Sequence, residues 1–564
     1  MTEQHTPLLA IEGLKVQFSG PRGVVNAVDG FSLTVERGET LAILGESGSG
    51  KSVSASVVMN ILDMPPGRIT AGSVRFEGRD LLRMTPAERR KINGSEIAII
   101  FQDPLAHLNP VYSVGWQIAE VFRIHGRARD ATEAREKAIA LMERVGIPNA
   151  RSRADQYPHQ FSGGQRQRVM IAMALALSPK LIIADEPTTA LDVTVQRQIL
   201  DLLKDLQREM GMGLILITHD LAVAGLMADR VAIIKDGTIV ESGGIRDAFT
   251  APKAAYTRQL LEAIPHVERT RRSGEEGELR PPLLVARDLT KEYQLSRGIV
   301  GGSAGTLRAV DRVSFTLREK QTLGIVGESG SGKSTVVRLL MRLTDPSSGS
   351  VHYRDRNLFS LRGAELLAFR RDVQMVFQDP YGSLNPKMTV ADIIAEPLAI
   401  HRDILPRAQW RDRVRELLGL VGLKPEHAER YPHQFSGGQR QRIAIARALA
   451  SEPRIIICDE AVSALDVSIQ AQIITLLADL RDKLDLSYIF ITHDLPVVRS
   501  FADEIMVMKA GAEVEHGRTD DLFLRPRDDY TRKLLSAGKI PAWMQRIETA
   551  GHPGIPRAET RTTP

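Results

Sequence analysis

The sequence predicts an α/β fold present twice in one chain, each copy a largely parallel sheet with helices on both faces. Three observations predict it. Short apolar runs at 41–44 (LAIL), 97–100 (IAII), 181–184 (LIIA) and 214–217 (LILI) are bounded by turn residues and suit buried strands. Helix-period segments, such as Gly164 to Leu177 and Thr194 to Arg208, lie between them. The landmarks then recur in the same order. GESGSGKS at 45–52 returns at 327–334, FQDP at 101 returns at 377, YPHQFSGGQRQR at 157 returns at 431, and ITHDL at 217 returns at 491.

The recurrence sets the expected boundaries. A first domain covers 1–265, a charged linker ending in two prolines (HVERTRRSGEEGELRPP) covers 266–282, a second domain covers 283–541, and a Pro-containing, loosely ordered tail covers 542–564. The second copy gains a glycine-rich loop, GIVGGSAG (298–305), ahead of its octet, and is shorter where the first has PPGRITAG (65–72). With 564 residues, 43% of them apolar, the chain can bury several cores. Its one cysteine, Cys458, excludes an internal disulfide framework and a Cys-rich cluster, fits a reducing compartment, and is expected to be a buried small apolar residue. The first residues lack the basic-then-apolar pattern of a secretory leader, and no run of 18 apolar residues suggests a membrane span. The net charge of +5 permits contact with an anionic surface without requiring it.

The octet carries the first chemistry. Gly45, Gly48 and Gly50 let main-chain N–H groups curl around phosphate oxygens, and the following helix adds its partial positive N-terminus. Lys51 would reach the β- and γ-phosphates and Ser52 would ligate Mg²⁺; Gly327, Gly330, Gly332, Lys333 and Ser334 repeat the set. A chance Gly/Ser turn explains one octet poorly and two in register worse. LIIADE (181–186) and IIICDE (455–460) are strands ending in two carboxylates. Asp185 and Asp459 suit the shell of Mg²⁺, and Glu186 and Glu460 stand one residue beyond, placed to take a proton from an attacking water. His219 and His493 follow strands and suit a γ-phosphate contact; Gln102 and Gln378 suit Mg²⁺ or water. FSGGQ opens a helix with Ser162, Gly164 and Gln165, and again with Ser436, Gly438 and Gln439, giving each half a second anion-binding helix tip.

With these motifs in this order, the chain resembles the ATP-binding-cassette ATPases over nearly all of residues 8 to 541, including the turns TTALD (188–192) and VSALD (462–466). The resemblance implies two tandem P-loop NTPase cassettes, each with a RecA-like parallel core, an antiparallel β subdomain and a helical subdomain. It implies that each ATP is held by one cassette and closed by the other. Lys51, Ser52, Gln102, Asp185, Glu186 and His219 would be closed by Ser436, Gly438 and Gln439; Lys333, Ser334, Gln378, Asp459, Glu460 and His493 by Ser162, Gly164 and Gln165. Phe18 and Tyr293 align with the family's adenine-stacking aromatics, with core packing as the alternative.

More narrowly, the halves resemble the paired D-type and F-type ATPases of oligopeptide and dipeptide importers, fused. The segments PKAAYTRQLLEAIP (252–265) and PRDDYTRKLLSA (526–537) resemble that subfamily's YT-x-x-LL tails. The resemblance implies ATP and Mg²⁺ as cofactors, two transmembrane permease subunits and an extracytoplasmic solute-binding protein as partners, no nucleic acid, and a peripheral place on the cytoplasmic face of the inner membrane. The Cys-rich iron–sulfur tail of some relatives is not matched, so no cluster is expected. One departure is DEAVSALD against DEPTTALD: Ala461 cannot constrain φ as Pro187 does, yet Glu460, His493 and the FSGGQ pieces are kept, so two hydrolytically competent sites are expected, with equality of their rates left open. The rival readings are a tandem cassette acting on ribosomes or nucleic acid, disfavoured by the short linker, and a tandem sugar-importer ATPase, disfavoured by two intact sites.

Overall fold

The computed structural model describes residues 6–20, 23–189, 191–262, 280–294, 306–463, 465–538, 541, 543 and 544. Most of the expected linker, the glycine-rich loop up to 305 and most of the expected tail lie outside these residues. The chain forms two compact units. One comprises Met1–Leu191, Val195–Glu262 and Ile540–Pro564, the other Asp192–Thr194 and Ala263–Lys539.

In the first unit the four apolar runs become Thr40–Leu44, Ile97–Ile100, Leu181–Asp185 and Gly213–Thr218, nearly every residue buried. They are fully apolar rather than alternating because helices cover both faces of a parallel sheet. With Arg230–Lys235 they run parallel, and Thr238–Gly244 closes one edge antiparallel. A separate antiparallel sheet orders Gly23–Val35, Leu9–Gly20, Gly67–Phe76 and Arg79–Asp80. Helices Val114–Ile124 and Ala131–Arg144 pack with Gly163–Leu175 into a helical subdomain. One core lies between the antiparallel sheet and the parallel one, around Phe31, Phe76 and Ile97. The other lies between the parallel sheet and the helices, around Ile118, Met142 and Ile171.

The second unit repeats this layout, with cores around Phe315 and Ile457 and around Leu417 and Phe490. Its strands form one ten-stranded sheet instead of two sheets. The difference is small. A single bridge, Asp311 to Ala512, joins the halves of that sheet. The same contact exists in the first unit, where Asp29 N–H donates to Gly237 O at 2.9 Å just as Asp311 N–H donates to Gly511 O at 2.8 Å.

The YT-x-x-LL segments form short amphipathic helices, Ala255–Glu262 and Asp529–Ala537. Tyr256, Thr257, Leu260 and Leu261 are buried, as are Tyr530, Thr531 and Leu534. Each helix start is held by a carboxylate on the last strand of its unit, Thr238–Gly244 or Ala512–Arg518. Glu241 accepts from Lys253 N–H at 2.9 Å, Ala254 N–H at 3.0 Å and the Thr257 hydroxyl at 2.5 Å. Glu515 accepts from Arg527 N–H at 2.8 Å and Asp528 N–H at 3.1 Å. Burial pushes both carboxyls up, but these donors outweigh it and hold each below the ordinary glutamate range. A depressed carboxyl adds stability that is complete above the unfolded value, about 4.3, and is lost as pH falls through the folded one. Glu241→Ala should therefore cost about 1.5–3 kcal/mol at pH 7. Thermal unfolding should show the gap between variant and parent closing as pH drops below about 4.

Candidate functional site

The parallel sheet aligns four segments that are distant in sequence. In the first unit Ile97–Ile100, Leu181–Asp185, Gly213–Thr218 and Thr40–Leu44 lie side by side and run the same way. Their C-terminal ends emerge in a row, the usual ligand-binding edge of such a sheet. There they present Gln102, Asp185 with Glu186, His219, and the loop from Gly45 to Lys51. In the second unit Val373–Val376, Ile455–Asp459, Ser487–Ile491 and Thr322–Val326 do the same for Gln378, Asp459 with Glu460, His493 and Gly327 to Lys333.

The glycine loops are shaped by close approach. Gly50 has φ 99° and Gly332 φ 104°, and each is the N-cap of the helix that begins at the lysine. A Cβ on Gly50 would run into Ala27 O, and one on Gly332 into Ala309 O. Lys51 is only 5% exposed, and its Nζ donates to Gly45 O at 2.6 Å and Glu46 O at 2.8 Å. Lys333 Nζ donates to Gly327 O at 2.7 Å and Glu328 O at 2.8 Å, and burial holds its pKa below the ordinary lysine range. Each cation is thus fixed at the mouth of a loop of main-chain donors. Two buried polar atoms in this region of the first unit, Ser49 Oγ and Asp185 Oδ1, have no hydrogen-bond partner.

The carboxylates are held firmly. Glu186 Oε2 accepts from Gln102 Nε2 at 2.8 Å and from the Thr189 hydroxyl at 2.9 Å, while His219 Nδ1 lies 3.1 Å from Oε1. Glu460 Oε2 accepts from Gln378 Nε2 at 2.7 Å, with His493 Nδ1 3.5 Å from Oε1. Burial pushes both glutamates up; the bond and charge of the neighbouring histidine, helped by the cradle lysine, pull each below its ordinary value. His493 shows the converse. Burial lowers it, but Glu460 outweighs burial and raises it. Asp185 and Asp459 are raised by burial and by the adjacent glutamate, opposed in Asp185 by a bond from Ser52. The sheet therefore brings Lys51, Asp185, Glu186, Gln102 and His219 together, and their counterparts likewise. Gln102 and Gln378 lie on the glutamates.

The FSGGQ segments open the helices Gly163–Leu175 and Gly437–Leu449. Ser162 caps Gly163–Leu175 by accepting from Gln165 N–H at 3.4 Å, and Gln165 Oε1 accepts from Ser162 N–H at 3.2 Å and from Arg153 Nη2 at 3.0 Å. Ser436 and Gln439 form the same capping box on Gly437–Leu449. A Cβ on Gly164 would strike Val195, and one on Gly438 would strike Ile469. Phe18 is partly buried against the core of its unit, so packing accounts for much of its surface. Tyr293 carries Lys291 Nζ 5.2 Å from its ring centre. Cys458 is fully buried, as expected, and burial drives its thiol far from ionisation.

Two features of the site are not evident in the motifs. Thr189 is the third ligand of Glu186, whereas its counterpart Ser463 donates to the main-chain O of Glu460 at 3.0 Å. Both glutamates have left-handed backbones, φ 46° for Glu186 and 47° for Glu460, a conformation that costs of order 1–3 kcal/mol in a non-glycine residue. Ala461 supports the same conformation as Pro187, since Glu186 N–H donates to Ile217 O and Glu460 N–H to Ile491 O, each at 2.9 Å.

The family model for the ABC transporter matches residues 28–189 and 310–463, and that for the oligopeptide/dipeptide transporter C-terminal region matches 240–290. The glutathione import ATP-binding protein GsiA of Escherichia coli O6:H1 is 45% identical over 560 residues, covering 94% of this chain and 89% of that protein. Its namesakes in Shigella boydii and Escherichia coli K12 match to the same extent. Among solved structures, the dimeric post-hydrolysis ATP-binding cassette MJ0796 bound to ADP and Pi is 32% identical. It covers 42% of this chain and 98% of its own, with a TM-score of 0.38. The chain belongs to the ABC transporter family, as a tandem ATPase of its oligopeptide/dipeptide branch.

Proposed function

We propose that this chain hydrolyses ATP to drive import of small peptides, with glutathione the leading candidate cargo. The support is the 45% identity, along nearly the whole chain, to proteins named for glutathione import. By the same likeness its partners are membrane-spanning permease subunits, two in number, fed by an extracytoplasmic solute-binding protein, and its place is the cytoplasmic face of the inner membrane. No helix among the described residues is long and apolar enough to cross a membrane, so the path for cargo would come from those partners.

The single observation that carries the chemistry is the row of strand ends. ATP would lay its phosphates in the loop from Gly45 to Lys51, where phosphate oxygens take up main-chain donors and the Lys51 cation. Ser52 and Asp185 would hold magnesium. One hydroxyl and one carboxylate suit that ion when phosphate oxygens and water complete its shell, and the orphaned Asp185 Oδ1 is free to serve. The ion would supply charge stabilisation on the β- and γ-oxygens. Glu186 then orients a water toward the γ-phosphorus and accepts its proton, while Gln102 and His219 fix the carboxylate. Lys333, Ser334, Asp459, Glu460, Gln378 and His493 would do the same in the second unit. The duplication supports a further assignment, that Ser162 and Ser436 each serve the nucleotide of the other cassette.

A strain lacking the chain should lose accumulation of labelled glutathione and regain it with the intact gene. Unchanged uptake would redirect the cargo assignment to other peptides. In the isolated protein, replacing both Glu186 and Glu460 by Gln should leave ATP binding intact and slow turnover by about 10²–10⁴-fold. The two sites should also respond differently to loss of the neighbouring hydroxyl. With Glu460→Gln in place, Thr189→Val should lower kcat by about tenfold, the worth of one hydrogen bond to a charged group, with KM for ATP little changed. With Glu186→Gln in place, Ser463→Val should leave kcat within about twofold, because Ser463 does not bond the carboxylate.

A further inference from the structure

A segment that follows the second unit returns to the first. The chain leaves that unit at Glu262, forms the second through Lys539, and groups with the first again from Ile540. Of these last residues Pro541, Trp543 and Met544 are described. Met544 is 2% exposed, and its N–H donates to Pro541 O at 2.9 Å. The Trp543 ring lies 6.1 Å from that of Phe249, tilted by 43°, and the Arg246 guanidinium stands 5.9 Å from the indole. Phe249 itself is fully buried.

The duplication shows why there is room. Phe249 aligns with Phe523, and Gly225 with Arg499. In the second unit Arg499 covers Phe523, its guanidinium 5.1 Å from the ring centre. In the first unit Gly225 has no side chain to offer, and Trp543 and Met544 occupy the place. Gly225 lies inside the helix Leu221–Met227, where only proline is a poorer helix former. A Cβ there would collide with Met544 Sδ, and Met544 Cε and Trp543 Cζ2 lie 3.5 Å from its position. The glycine is a liability to its helix and a requirement for the docked segment.

We propose that Trp543 and Met544 form an anchor that ties the end of the second cassette to the first. The second cassette is then joined to the first at both of its ends, by the 266–282 linker and by the anchor. The contacts are apolar and cation–π, and none involves nucleotide, so the tie persists in the ATP-free protein. A tether of this kind keeps its partners at an effective concentration on the order of millimolar.

The test uses the full chain carrying a specific protease site in the 266–282 linker. After cleavage without nucleotide, the two fragments should co-elute on gel filtration. Trp543→Ala with Met544→Ala, or Gly225→Arg alone, should weaken their association about 100-fold. Before cleavage each variant should keep the parent's ATP binding and thermal midpoint, which separates lost docking from lost folding. In uncut protein the thiol of Met544→Cys should react with maleimide about 100-fold slower than an exposed thiol, and Gly225→Arg should abolish that protection. The native Cys458, fully buried, stays silent. Fragments that part equally in parent and variants, fragments that stay together in every variant, or a freely reactive thiol at 544 would each overturn the anchor.

Discussion

The site depends on one carboxylate knot at the edge of each parallel sheet. Glu186 is the first residue past its strand, with its backbone in the left-handed region, its N–H bonded to Ile217 O on the next strand, and its side chain tied to Gln102 and His219. Those two side chains follow the strands on either side. The knot therefore stitches three neighbouring strand ends together, and the order of the sheet is what makes it possible. Glu460, Gln378 and His493 repeat it. A buried carboxylate is costly unless paired; here Glu460 has two side-chain partners and Glu186 three, and both are held below the ordinary glutamate range.

Two copies of one design show which parts are constrained and which are free to differ. The left-handed glutamate survives the exchange of Pro187 for Ala461, so the main-chain bond to the adjacent strand, rather than proline, imposes that conformation. The hydroxyl three residues beyond is not so constrained. Thr189 reaches the carboxylate and Ser463 turns to a main-chain oxygen. The difference lies three residues along the turn from the glutamate, not at the substituted proline, although the proline is the more conspicuous change in sequence. The hydroxyl at Thr189 and Ser463 is thus a structural difference between the two copies separate from the proline exchange.

Much of this was legible in the sequence. The apolar runs at 41–44, 97–100, 181–184 and 214–217 became strands with edges shifted by no more than one residue, because buried parallel strands leave little room for anything but aliphatic side chains. The glycine octets were legible because their constraint is local: a side chain at Gly50 meets main chain. What stayed hidden depends on distant residues. No local pattern announces that Gln102 will meet Glu186 rather than face solvent, or that the backbone of Glu186 will be left-handed. The edge-strand Glu241, which fixes the start of the YT-x-x-LL helix, is likewise ordinary until its partners arrive from twelve or more residues away.

The glycine at 225 shows how a duplicated chain records its own assembly. Internal repeats share a scaffold, so a position where one copy has arginine and the other glycine asks what replaced the missing side chain. In a helix interior, glycine is disfavoured by about 1 kcal/mol against alanine and brings no packing of its own. Such a residue persists where something else needs the space. In the first unit that occupant is Met544, almost fully buried beside Trp543, in the place where Arg499 covers the matching phenylalanine of the second. Both copies thus cover a phenylalanine beside the first helix after His219 or His493, one with its own side chain and the other with a segment that follows the second unit. A single polypeptide can use the segment after its second cassette in this way only because both cassettes are encoded together.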